Sequence, residues 1–142
     1  MYDFLTQLLS PDEKVDPNHF PADEFFWEFL VKIGSSHFLI PAIYGSMKQK
    51  KLEKHMPNEL KQYMNEISNL NYERNKSIFK QISYLSDILQ KNNIEHTFLK
   101  GAAMLISKPY DTFNQRMVGD IDILVSEKHI YFAQKLLLEL NF

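Results

Sequence analysis

Residues 98–125 read FLKGAAMLISKPYDTFNQRMVGDIDILV and carry the most informative pattern of this chain. The runs at 95–99 and 121–125 are rich in β-branched, aromatic and aliphatic residues, which favours two short strands. Residues 102–107 are typical of a short helix, and 108–119 contain the proline, asparagine and glycine of a loop. Because so short a link joins the two strands, we expect them to pair antiparallel rather than through a parallel crossover.

The chain before this pattern is predicted to be mostly helical. Apolar residues recur with a helical period over 23–33, and Gly34 offers a left-handed stop. Ser35 or Ser36 can cap a second helix, and Pro41 falls inside its pattern. A proline removes an N–H group from the helix, so this second helix either starts near Pro41 or bends there.

The longest periodic stretch lies between Pro57 and Asn92. Its apolar spacing predicts one long helix, or two helices with a break near Asn71. The middle, 69–77, is strongly polar, which is explained either by a solvent-filled cleft beside the helix or, more commonly, by a plain exposed turn. A last amphipathic helix is predicted over 127–140.

Composition and charge limit the classes of partner. With 142 residues, of which 44% are hydrophobic, the chain is long enough for one domain with a core. Its 16 basic and 18 acidic residues give a net charge of -2, so it has no general attraction for a polyanion. The basic run at 48–54 is better explained as a solvated helix end than as a nucleic-acid contact.

The sequence also indicates where the protein resides. It has no cysteine, which excludes disulfides and thiolate metal sites and favours a reducing compartment. The first residues lack the basic region of a signal peptide, and no apolar run reaches the roughly 20 residues that a bilayer span needs. We therefore expect a cytoplasmic protein without a membrane partner. Its five histidines have no metal-ligand spacing, so zinc is not expected.

Two carboxylates are the first candidates for chemistry. Asp120 and Asp122 stand two residues apart at the start of the second predicted strand. Since side chains alternate along a strand, both should lie on one face. Two like charges beside an apolar strand are costly unless a cation neutralises them. Mg²⁺ suits this position, because it takes hard oxygen ligands from one or two carboxylates and from substrate phosphates.

A candidate phosphate-binding turn precedes the short helix. Lys100 supplies a cation, Gly101 allows close approach of the backbone, and the helix start offers free N–H groups. Arg116, four residues before Asp120, could contact a triphosphate as a planar two-pronged donor. A structural salt bridge from Arg116 to Asp120 or Asp111 is an equally good explanation. Lys100 could also be a solvated lysine at a turn.

These residues together resemble a known family. The string LKGAAML, then Tyr110, Arg116 and GDIDILV, is similar to the uncharacterised nucleotidyltransferase family of the DNA polymerase β-like superfamily. The resemblance covers about 92–142. It implies that Asp120 and Asp122 hold magnesium and act in catalysis, and that Lys100, Gly101 and Arg116 bind the nucleotide. The helical period before Asn93 and the strand pattern after it predict an α+β fold with a small mixed or antiparallel sheet. We expect a helical region over 1–93, followed over 94–142 by what resembles the N-terminal part of a nucleotidyltransferase core, and the two could form one compact domain.

Two departures from the superfamily pattern bear on activity. Superfamily members usually have Gly-Ser at the turn, where this chain has Lys100-Gly101. They also generally need a third carboxylate from a later strand, for which Glu127 and Glu139 are poor substitutes. The expectation is that the chain is a fragment of a longer enzyme or that its catalysis is incomplete.

The resulting functional hypothesis is transfer of a nucleotidyl group from an NTP to a hydroxyl acceptor, with magnesium as cofactor. The alternative is a non-catalytic module that retains the fold and binds a nucleotide or a protein. Because a sheet of two strands has open edges, we also expect a homodimer or a partner that covers the sheet.

Overall fold

The computed structural model describes residues 1–16, 20, 23–107 and 112–142. In this part of the chain it has one antiparallel pair of strands, in which Phe98 lies opposite Ile123. The α+β prediction and the antiparallel pairing are confirmed. Both strands are shorter than expected, with three residues each. The elements are α1 Tyr2–Leu9, α2 Glu24–Ser36, α3 Ile40–Gln49, α4 Asn58–Lys91, β1 His96–Phe98, α5 Lys100–Ser107, β2 Ile123–Val125 and α6 Ile130–Glu139, with 3₁₀ turns at Glu53–His55 and Glu127–His129.

The chain divides into two compact units. The first contains Met1–Arg74 and Thr112–Met117, and the second contains Asn75–Asp111 and Val118–Phe142. The helix α4 contributes to both. The domain boundary expected at residue 93 stays a prediction. Within the described ranges, no helix combines the length and apolar character needed to cross a bilayer.

The first unit has an apolar core built mainly from α1, α2, α3 and the start of α4. Two of its members, Leu5 and Leu8, come from α1, a helix that the sequence reasoning did not predict. Lys50 holds the end of α1, because its Nζ donates to the carbonyl oxygens of Gln7 at 2.6 Å and Ser10 at 2.8 Å. Burial lowers the pKa of Lys50, and the charge of Glu13 opposes that shift. The other fully or nearly buried apolar residues of this core are Phe26, Trp27, Leu30, Ile40, Ile43, Tyr44, Met47, Leu52, Met56 and Met64.

The expected stop at Gly34 is wrong. The helix α2 continues through Gly34 to Ser36, and the left-handed residue is Phe38, with φ 57°. Leu39 then donates its N–H to the carbonyl of Gly34 at 2.7 Å, which closes the helix. Gly34 is buried, and a Cβ there would lie 2.6 Å from Cδ1 of Ile40. Its glycine therefore serves the close packing of α2 and α3 rather than the helix end.

Three further helices end in the same way. In each, a residue with positive φ is followed by an apolar residue whose N–H bonds back to the carbonyl five residues earlier. At the end of α4 the left-handed residue is Asn93, and Leu89 and Ile94, joined by the closing bond, are both buried. The repeated motif explains why the helices stop without a glycine. The four bonds are Leu39 to Gly34, Leu52 to Met47, Ile94 to Leu89 and Phe142 to Leu137.

The start of α3 was predicted only in part. The helix begins at Ile40 with Pro41 in its first turn, which confirms the alternative of a start near Pro41. The predicted cap is wrong, because Ser36 belongs to α2 and its hydroxyl donates to the carbonyl of Lys32 at 2.8 Å. Leu39 precedes the helix without a side-chain cap bond.

A glycine at position 51 should stabilise the protein. Lys51 is exposed and has φ 57°, a conformation that costs an L-residue about 1–2 kcal/mol. We expect Lys51→Gly to raise the free energy of unfolding by about 1 kcal/mol, after the greater entropy of a glycine in the unfolded chain is subtracted. Lys80→Gly, at an exposed lysine inside α4, should lower it by about 1 kcal/mol. Urea unfolding of both variants checks this, and a loss of stability in Lys51→Gly would contradict it.

The polar middle of α4, residues 69–77, is exposed at every position except Asn71 and Asn75, so solvent exposure explains most of it. The helix is continuous over 34 residues, so there is no break near Asn71. Ser68 and Asn71 are 1% and 3% exposed, which excludes a solvated turn and a water-filled cleft at these two positions. Their side chains instead bind the segment 112–117. The burial of Ser68 and Asn71 is therefore explained by hydrogen bonds between α4 and residues 112–117.

The second unit packs its strands on helices. Ile123 and Val125 of β2 face a small core that contains Leu89 of α4, Ile94 and Ala133 of α6. The opposite face of the pair is exposed at Thr97 and Leu124, which lie directly across from each other. The strand pair therefore packs against the core of this unit with one face and exposes the other.

Candidate functional site

The turn between β1 and α5 is tighter than the sequence suggested. The helix starts at Lys100, two residues before the expected start, and Lys100 itself has φ 48°. Gly101 does not need its conformational freedom here, since its φ is not positive. It is buried, and a Cβ would lie 3.0 Å from Cγ1 of Val118. Gly101 thus lets α5 pack closely on Val118, while the backbone strain falls on the lysine.

Asp122 and Lys100 are brought together by the strand pairing. The N–H of Leu99 donates to the carbonyl of Asp122 at 2.9 Å, which extends the pairing by one residue beyond β1. The Nζ of Lys100 then donates to Oδ1 of Asp122 at 3.0 Å, across 22 residues of sequence. The lysine side chain is 71% exposed and the aspartate 27%. Two groups predicted separately, one for phosphate and one for metal, therefore meet at the end of the strands.

Asp120 belongs to the same electrostatic neighbourhood. The pKa of Lys100 is raised, mainly by its hydrogen bond to Asp122 and by the charge of Asp122. The charge of Asp120 raises it further, and desolvation opposes the shift. Asp120 is exposed, and both carboxylates precede β2 rather than lie within it. Their shared face stays a prediction. The site is one exposed acid, Asp120, and one partly buried acid, Asp122, with the ammonium of Lys100 bound to the second.

Two substitutions of Lys100 should differ in their effect on thermal stability but not in their effect on nucleotide binding. Lys100→Gly and Lys100→Ala both delete the ammonium, but only glycine adopts a φ of 48° without strain. We expect the melting temperature of Lys100→Gly to exceed that of Lys100→Ala, with both variants equally impaired in nucleotide binding. Differential scanning fluorimetry measures the first and titration calorimetry the second. Equal melting temperatures would show that the positive φ is not strained in solution.

Arg116 belongs to the first unit, whereas Lys100, Gly101, Asp120 and Asp122 belong to the second. Its side chain is exposed, and its main-chain carbonyl accepts a hydrogen bond from Asn71 at 3.0 Å. Tyr110 and Asp111, which entered the resemblance and the salt-bridge alternative, lie outside the described residues.

Sequence reasoning missed the residues that hold Arg116. Asn71 was considered only as a possible break in α4, and Ser68 and Asn114 were not considered at all. The available signal was the spacing of Ser68, Asn71 and Asn75, which places three small polar side chains on one face of a long helix. Such a stripe indicates a polar partner, but it does not identify the partner.

The two acidic residues considered as a third ligand both follow β2 in the chain. Glu127 starts a 3₁₀ turn after β2, and Glu139 approaches Lys135 at 4.0 Å on α6. Among the described residues, no group of three or more His, Cys, Asp or Glu side chains could hold a metal ion. His19 lies outside that part of the chain. Asp120 and Asp122 therefore form a candidate site with two carboxylates.

Comparison with known proteins agrees with the resemblance. A family model described as uncharacterised nucleotidyltransferase matches residues 23–142. No curated protein and no solved structure matches the chain. The match includes the strand pair, the turn at Lys100 and both candidate aspartates, and it extends the resemblance into the N-terminal helices. The chain belongs to the uncharacterised nucleotidyltransferase family.

Proposed function

We propose that this chain transfers a nucleotidyl group from an NTP to a hydroxyl acceptor with Mg²⁺ as cofactor. The observation that carries the proposal is the bond between Lys100 and Asp122. It joins the predicted phosphate-binding turn to the predicted metal-binding acids in one place. Family membership supports nucleotidyl transfer in general, and the pairing of these groups supports the nucleotide and the metal.

The residues present fit Mg²⁺ bound together with a nucleotide. Asp120 and Asp122 supply hard oxygen ligands, and the phosphates of the NTP would complete the shell, as is common for this ion. Asp122 already accepts a cation, the ammonium of Lys100, at 3.0 Å. When bound, Mg²⁺ would polarise the α-phosphate and orient the attacking oxygen.

The side chains of this chain have separate roles in the proposed reaction. The acceptor hydroxyl oxygen forms a bond to the α-phosphorus, the bond to the bridging oxygen breaks, and pyrophosphate leaves with the electron pair. The hydroxyl proton is lost to water. Lys100 transfers its hydrogen bond from Asp122 to a phosphate oxygen and balances charge on the leaving pyrophosphate. The N–H groups at the start of α5, beside Gly101, contact the phosphates.

Label transfer tests the proposed activity. The protein is incubated with Mg²⁺ and each of the four common NTPs labelled at the α-phosphate, together with RNA, protein and small-molecule fractions of a cell extract. We expect label to enter one acceptor class with release of pyrophosphate, and Asp122→Asn to abolish the transfer. Nucleotide binding without transfer to any fraction would instead support the non-catalytic nucleotide-binding module.

A homodimer is also part of the proposal. Leu124 on the open face of the sheet is 57% exposed. Association would remove this apolar surface from water. Light scattering at micromolar concentration should give twice the mass of 16.8 kDa. A monodisperse monomer would count against it.

A further inference from the structure

Ser86 of α4 and His96 of β1 form a hydrogen-bonded pair within the second unit. The ring nitrogen Nε2 of His96 lies 3.1 Å from Oγ of Ser86. The other ring nitrogen, Nδ1, lies 3.0 Å from the carbonyl oxygen of Ile94. Because a carbonyl oxygen only accepts, Nδ1 carries the proton in the neutral ring, and Nε2 keeps its lone pair. The hydroxyl of Ser86 therefore donates to a basic nitrogen.

The group that orients His96 is itself fixed in place. Ile94 is 2% exposed, and its N–H donates to the carbonyl of Leu89 at 2.9 Å in the turn that ends α4. Strand pairing holds the main chain of His96 opposite Val125. The ring of Phe98 packs edge-on against the imidazole, with the ring centroids 5.4 Å apart. A hydroxyl, a base and an acceptor that holds the base is the arrangement that activates a serine as a nucleophile.

The pair opens into a surface pocket of about 490 Å³ that is lined by residues of α4, β1 and α5. Ser86 and His96 are both partly buried there. Gln90, one turn after Ser86 on α4, supplies an amide donor, and the charge of Asp87 disfavours an anionic substrate. Gln90 and His96 also line an adjoining pocket of about 520 Å³. The apolar lining of the first pocket consists of Phe79, Ile82, Phe98 and Ile106.

We propose that Ser86 and His96 form a second active site, which cleaves neutral esters with an apolar acyl group. Oγ of Ser86 forms a bond to the carbonyl carbon of the ester, and its proton passes to Nε2 of His96. The bond from that carbon to the leaving oxygen breaks, and the leaving alcohol takes the proton from His96. A water molecule that loses its proton to His96 then releases the acid and restores the hydroxyl of Ser86. The amide of Gln90 supplies a donor for the charge that develops on the carbonyl oxygen.

The same unit contains a second hydrogen-bonded serine and histidine, which provides an internal control. Oγ of Ser126 lies 3.2 Å from Nδ1 of His129. Ser126 is exposed and precedes the 3₁₀ turn that contains His129, and neither residue lines the two pockets. If a hydrogen bond to histidine were sufficient for reactivity, both serines would react. If the oriented base and the pocket are required, only Ser86 reacts.

Labelling with an alkyl fluorophosphonate, which forms a stable bond to an activated serine, tests the nucleophile. Mass spectrometry of the full chain and its peptides locates the label, and we expect it on Ser86 and not on Ser126. His96→Gln keeps a polar side chain but has no basic nitrogen, so it should slow the labelling of Ser86 by about 100-fold. Ser126→Ala should be labelled on Ser86 at the wild-type rate. No label on Ser86, equal labelling of both serines, or an unchanged rate in His96→Gln would overturn the proposal.

Hydrolysis of p-nitrophenyl butyrate measures turnover at the same pocket. We expect Ser86→Ala and His96→Gln to lower kcat/KM by about 100-fold or more, and Ser126→Ala to leave it unchanged. The wild-type label position needs no variant, so poor folding of a variant does not remove the test. No hydrolysis above that in buffer, or equal rates for the wild type and Ser86→Ala, would overturn the second site. A wild type that hydrolyses the ester but binds no Mg-NTP would keep this site and overturn only the nucleotidyl transfer.

Discussion

Asp122→Asn should remove most of the stabilisation that Mg-NTP gives to this protein. At a free ligand concentration of about 100 times the dissociation constant, a bound nucleotide raises the free energy of unfolding by about 2.7 kcal/mol. If the substitution weakens binding by about 100-fold, the same ligand concentration gives the variant only about 0.4 kcal/mol. Asparagine keeps the shape of the side chain, so the difference reports the lost charge of a metal ligand.

The stability of this variant without ligand should change little. The substitution removes repulsion between Asp122 and Asp120, but it also removes the negative charge that Lys100 contacts at 3.0 Å. The lost repulsion should raise the free energy of unfolding, and the lost contact with Lys100 should lower it. Glu127→Gln, the same charge change at an exposed acid in the following turn, is the matched control and should keep the full nucleotide effect. Equal losses in both variants would indicate a general charge effect in place of a metal site.

Leu89→Ala should cost the protein about 2–5 kcal/mol of unfolding free energy. Leu89 is fully buried in the small core of the second unit, beside Ile94 and Ala133. It also lines a surface pocket of about 320 Å³ with Ile123 and Val125, so truncation would leave additional unfilled space there. Its carbonyl accepts the bond that closes α4 at Ile94, which the substitution leaves in place.

A matched leucine on the same helix isolates the packing effect. Leu70 is 63% exposed on α4, and Leu70→Ala should change the unfolding free energy by less than about 0.5 kcal/mol. Urea unfolding of the two variants gives the comparison. A loss below about 1 kcal/mol for Leu89→Ala would contradict the account of this core.

Much of the fold followed from local patterns in the sequence. The change from a helical period to two short apolar runs predicts both strands, and the short link between them predicts their antiparallel pairing. Helix ends were less predictable, because Phe38 and Lys51 adopt a left-handed conformation that their residue types disfavour. The apolar residue after each of them closes the helix; Leu39 is partly buried and Leu52 fully buried, and that packing is a tertiary property.

The candidate site was predictable in its members but not in its arrangement. Lys100 and Asp122 were each identified by motif, while their contact depends on strand register. The role of Asn71 could not be predicted, because a polar stripe gives no information about which distant segment it binds. Gly101 was selected for close approach of its backbone to a phosphate, which stays a prediction; in the structure it approaches Val118.

We propose above that this chain binds a magnesium-bound nucleotide through Asp120 and Asp122. Wild-type melting curves with each of the four common NTPs, in Mg²⁺ and again in excess EDTA, test this binding. The account predicts that at least one NTP raises the melting temperature in Mg²⁺ and that EDTA abolishes the increase. No increase with any of the four NTPs would contradict it.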